Sequence, residues 1–81
     1  ATTPHLLFLG QTLLALLLLM LESLLARTYV GFAIIARLRG DFTKSLQFHQ
    51  KSLDIHIALQ QGRFIATDYH NIGVLYRKVG D

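Results

Sequence analysis

The sequence predicts an all-α protein of antiparallel helical hairpins stacked into a right-handed solenoid, and three observations lead there. Shifted by about 40 residues the chain falls on itself, and a fixed period in that range, with small and aromatic residues in phase, is the mark of stacked helical units. Ala26 then meets Ala66, Tyr29 meets Tyr69, Phe32 meets Ile72, Ala33 meets Gly73, and Gly40-Asp41 meets Gly80-Asp81. Gly40-Asp41 places a helix stop directly before a helix N-cap, so two helices meet across a turn too tight for anything but antiparallel packing. Finally, apolar residues recur at spacings of three and four, as on the face of a helix.

The first element is expected over residues 4–20. Pro4 after Thr3 suits a helix start, because proline at the first helical position gives up an N–H that has no partner anyway. From Leu6 to Leu21 the only polar side chains are Gln11 and Thr12. That run approaches the roughly 20 apolar residues that cross a bilayer, and Leu6–Ala26 would do so if Glu22 lay near an interface. A signal-peptide reading is weaker, since no basic segment precedes the leucines and no small-residue cleavage site follows them.

A second helix is expected over 23–39, with Ala26, Tyr29, Ala33 and Ala36 forming a face of small side chains around one ring. Such a face lets a neighbouring helix approach closely. A third helix is expected over 42–60, with Phe42, Leu46, His49 and Leu53 on one stripe, Phe48, Ile55 and Leu59 beside it, and Ser45 and Ser52 on the side of closest packing. Gln61-Gly62 reads as a turn. A fourth helix over 64–79 repeats the second through Ala66, Tyr69, Ile72, Gly73 and Tyr76, and Gly80-Asp81 stands where a further helix would open.

Composition narrows the function. The chain has no cysteine, so disulfides, thiolate metal sites and thiol nucleophiles are excluded. Charged residues are only 16 % and hydrophobic ones 52 %, apolar for a domain in water. The net charge of +3 favours acidic partners mildly, but the cations are scattered from Arg27 to Lys78 rather than clustered. No aromatic strip interleaved with basic residues is present, so nucleic acid is not an expected partner. His49 and His56 lie two turns apart, about 10 Å along a helix, too far to share one ion. Ser52 and His56 are spaced to hydrogen-bond, yet local spacing supplies no third member to orient them, so no catalytic site is expected. Neither a metal nor another cofactor is expected.

These residues resemble the tetratricopeptide repeat in its 40-residue form. Residues 26–65 match one full copy through Tyr29, Phe32, Ala33, Ala36, Gly40-Asp41-Phe42, Ser45, His49 and Ser52-Leu53. Residues 66–81 match the first helix of the next through Tyr69, Ile72-Gly73, Tyr76 and Gly80-Asp81. Residues 1–25 would be the second helix of a degenerate preceding copy, with His5, Leu9 and Thr12-Leu13 where small and aromatic residues belong. Ala36 stands for an aromatic, and serine twice for alanine.

The resemblance implies a non-catalytic scaffold for protein–protein interaction, whose first helices line a concave groove for a peptide or partner helix. It places Arg27, Val30, Ile34, Arg37 and Leu38 of one repeat in that groove, with Thr67, His70, Asn71, Val74, Arg77 and Lys78 of the next. Asn71 sits where family members bind a peptide backbone or terminal carboxylate, so an acidic or carboxylate-ended peptide is the expected ligand, in a cytoplasmic protein. Two periods are fewer than such arrays need, so missing repeats or a second copy are expected to cover the leucine-rich helix. The alternative is a small membrane-associated subunit in which Leu6–Ala26 spans or lies in the bilayer and the basic remainder stays on the cytoplasmic side.

Overall fold

The computed structural model describes residues 3–80, in three α-helices: α1, Thr3–Leu38; α2, Phe42–Ala58; and α3, Gly62–Gly80. The expected helices 4–20 and 23–39 are a single helix of 36 residues. The junction expected at residues 21–22 contains no glycine or proline, and glutamate is a good helix former, so nothing there stops propagation. Residues 3–25 therefore run on in line with 26–38 instead of folding back as a separate hairpin arm.

Both turns have the same construction. At the first, Gly40 has φ +80°, the Asp41 N–H donates to the Ala36 carbonyl (2.9 Å) and the Gly40 N–H to the Arg37 carbonyl (2.9 Å). These two bonds are the Schellman closure of a helix, and the left-handed residue that makes them is most cheaply glycine. Asp41 then caps α2, its carboxylate accepting from the Lys44 N–H at 3.1 Å, which satisfies one of the helix's unpaired first-turn donors.

At the second turn, Gln61 N–H donates to His56 O and Gln60 N–H to Ile57 O, each at 3.0 Å. Here the left-handed residue is Gln60, φ 57°, while Gly62 opens α3. The expected glycine turn at Gln61-Gly62 is thus shifted by one or two positions. Helix α2 stops at Ala58 rather than Gln60, and α3 begins at Gly62 rather than at Phe64.

Both α1 and α3 pack on α2. From α1 come Ala26, Ala33 and Ala36, all buried, so the small face read from the sequence is the one that receives α2. Tyr29 and Phe32 flank it, with ring centroids 6.2 Å and 5.4 Å from that of Phe48. From α3 come Ile72 and Leu75, and Leu53 of α2 completes the apolar core. The equivalents of the small face one period later behave differently: Ala66, Tyr69, Gly73 and Tyr76 are exposed, and α3 uses its other side against α2.

Gln60 carries the strain of a left-handed residue with a Cβ. Gln60→Gly should raise the free energy of unfolding by about 1 kcal/mol, and Gly40→Ala should lower it by a similar amount. Urea titrations followed by far-ultraviolet circular dichroism would measure both.

Candidate functional site

Helix α2 carries two serines two helical turns apart, and each is fully buried against a different neighbour. Ser45 Oγ donates to the Ala33 carbonyl of α1 at 2.7 Å. Ser52 Oγ donates to the Asp68 carboxylate of α3, 3.2 Å from both oxygens. Asp68 is itself only 1 % exposed and takes His56 Nδ1 as its second partner. The His56 ring lies on Phe64, with centroids 5.2 Å apart.

The third member missing from the sequence reading of Ser52 and His56 is therefore Asp68, brought in from 16 residues away in the chain, and all three side chains are buried. The constellation still does not make a nucleophile relay. A relay uses opposite nitrogens of the imidazole, one toward the acid and one toward the hydroxyl. Here Asp68 and Ser52 both address Nδ1, and the Ser52 hydroxyl is closed to solvent. What the arrangement can do is satisfy a buried carboxylate and lock α3 onto α2.

Next to this lock, α1 and α3 face each other over α2 across a hollow of about 140 Å³. Ile34 and Arg37 of α1, His49 of α2, and Asn71, Val74 and Leu75 of α3 line it. Of the residues expected in a groove, the structure brings Ile34, Arg37, Asn71 and Val74 together here. Arg27, Val30, His70, Arg77 and Lys78 lie outside this lining, as do Leu38 and Thr67. Lys78 Nζ instead stands 5.8 Å from the centroid of the Phe42 ring, and the Thr67 hydroxyl is bonded to the Arg63 carbonyl.

Sequence reasoning missed the floor of this hollow. His49 is 3 % exposed, and its Nδ1 has no hydrogen-bond partner among the described residues. Burial lowers its pKa, the nearby Asp68 charge opposes that, and the Arg37 guanidinium adds to it. The hollow thus offers a guanidinium, an amide and a largely neutral imidazole between apolar walls, with no acidic side chain in the lining. Among the described residues no three metal-ligating side chains come together. A second hollow, on the outer side of the α1–α2 turn, is lined by Phe32, Ile35, Ala36, Arg39, Asp41, Lys44 and Phe48.

Two measurements probe this region. The folded pKa of His49 lies below its unfolded value of 6.5. Its contribution to stability is therefore complete above that pH and is lost as pH falls toward the folded value. The unfolding free energy of His49→Phe should accordingly depend less on pH below about 6.5 than that of the parent chain. Asp68→Ala, which strands His56 and Ser52, should cost about 3 kcal/mol, against about 1 kcal/mol for Ser52→Ala.

In comparison with known proteins, a family model described as the tetratricopeptide repeat matches residues 24–81, a stretch that takes in α1 from Leu24 onward and all of α2 and α3. No curated protein and no solved structure matches the chain.

Proposed function

Because the chain belongs to the tetratricopeptide repeat family, whose repeats mediate protein–protein interaction, we propose that it is a non-catalytic scaffold holding a peptide in the hollow between α1 and α3. Residues 26–65 would form one repeat and 66–81 the first helix of the next. The observation that carries the reading is the meeting of Arg37 and Asn71, from helices one period apart, over His49.

A guanidinium donates two parallel hydrogen bonds to a carboxylate, and an asparagine amide can both donate to and accept from a peptide backbone. Ile34, Val74 and Leu75 would take an apolar side chain beside that carboxylate. The ligand class is therefore a peptide with an acidic or C-terminal carboxylate next to an aliphatic residue. Arg27, Val30, His70, Arg77 and Lys78 would extend the contact along the same face, with the basic residues drawing in acidic neighbours. This reading places the repeat in the cytoplasm.

The test is fluorescence anisotropy with a labelled hexapeptide bearing three glutamates and ending in leucine. Arg37→Glu should weaken binding by about 10- to 100-fold, the loss of one charge-assisted contact. Arg37→Glu with Arg77→Glu should abolish it. Unaltered affinity in the double variant would reject this groove as the binding site.

A further inference from the structure

No residue of α1 from 3 to 25 is buried, and all of them except Ser23 stand exposed. Leu6, Leu7, Leu9, Leu13, Leu14, Leu16, Leu17, Leu18, Leu19, Leu21, Leu24 and Leu25, with Phe8 and Met20, are each between 46 % and 66 % exposed. A helix awaiting one protein partner carries an apolar stripe and a polar back. Between Leu13 and Leu21 this one has no polar back, more than two full turns carrying Ala, Met and Leu alone. A neighbouring repeat or a second copy would cover one side and leave the other leucines in water.

We propose that α1 crosses a lipid bilayer once, between about Leu6 and Leu25, and passes without a break into the repeat, which it holds at the cytoplasmic face. Length and charge agree on this occupant. Thr3 to Leu25 is helical throughout. At about 1.5 Å per residue that stretch rises about 34 Å, against a hydrocarbon core about 30 Å thick. Thr12, inside the span, donates its hydroxyl to the Phe8 carbonyl at 2.9 Å, so it presents no free donor to lipid. Glu22 lies about 6 Å along the axis from Ala26, within reach of the headgroups.

All 8 lysines and arginines follow the span, starting with Arg27, and Tyr29 stands at the same boundary. Cations close to one end of a span are retained on the cytoplasmic side, and tyrosine belongs at the interface. The exposed small face of α3 does not compete with this assignment, because it lies beyond the boundary on the basic side. The proposal is independent of the peptide groove. Membrane retention and peptide affinity are separate readouts, and either can fail while the other stands.

The experiment expresses the chain in bacteria and prepares inverted inner-membrane vesicles, whose cytoplasmic face points outward. The chain should stay with the vesicles through an alkaline carbonate wash. Trypsin added outside should remove everything beyond Arg27 and leave the leucine segment in the membrane. A Leu14→Lys/Leu17→Lys variant should lose most of its membrane-bound fraction. It should keep the amide-exchange protection of α2 and α3, since both positions stand more than two turns before Ala26, the first buried residue of α1.

Release by carbonate, or a discrete detergent-free species in sedimentation, would overturn the span, the latter in favour of a second copy covering the leucines. Retention with the repeat protected from trypsin would overturn the orientation. Equal retention of the lysine variant would overturn insertion through this segment.

Discussion

The structure depends on two buried hydroxyls of α2. Ser45 reaches the Ala33 carbonyl on one side and Ser52 reaches the Asp68 carboxylate on the other, so a single helix is tied to both of its neighbours by side chains small enough to allow close approach. Alanine would permit the same approach without the bond. The apolar core is slight, three alanines with Leu53, Ile72 and Leu75, and polar contacts therefore carry an unusual share of its definition. A buried carboxylate in such a place is tolerable only because His56 and Ser52 both answer it.

The same lock sets the hollow. Asp68 fixes the rotation of α3 about its own axis, and Asn71, Val74 and Leu75 follow it at one and two turns. On the opposite wall, burial of Ala33 and Ala36 turns Ile34 and Arg37 toward the gap. His49 is caught between, too enclosed to be readily protonated. The chemistry available to a ligand is thus a consequence of which helix faces are spent on packing.

Helix α1 divides into two solvent regimes without a break in its backbone. From Ala26 onward its alanines are covered by α2; before that point its leucines stand exposed. Helical hydrogen bonding runs through the change, with neither glycine nor proline at 21–26 to interrupt it. The scaffold and the apolar segment are therefore mechanically one element.

Much of this was legible in the residues themselves. The Gly40-Asp41 turn and cap and the alanine face of α1 are local features, governed by backbone sterics, capping and side-chain size, and each appears where the sequence places it. Arg37 and Asn71 were expected along one groove because the family resemblance lines it with the first helices of successive repeats. Tertiary structure alone decided the rest. Residues 21–22 could have joined two helices or continued one, and only the continuing helix settles it. Ala66, Tyr69, Gly73 and Tyr76 look like Ala26, Tyr29, Ala33 and Ala36, yet stay exposed, because a periodic sequence specifies which faces can pack and not which one has a partner. Asp68 could not be assigned to Ser52 and His56 from spacing, since the approach of α3 to α2 is a long-range event to which no local pattern points.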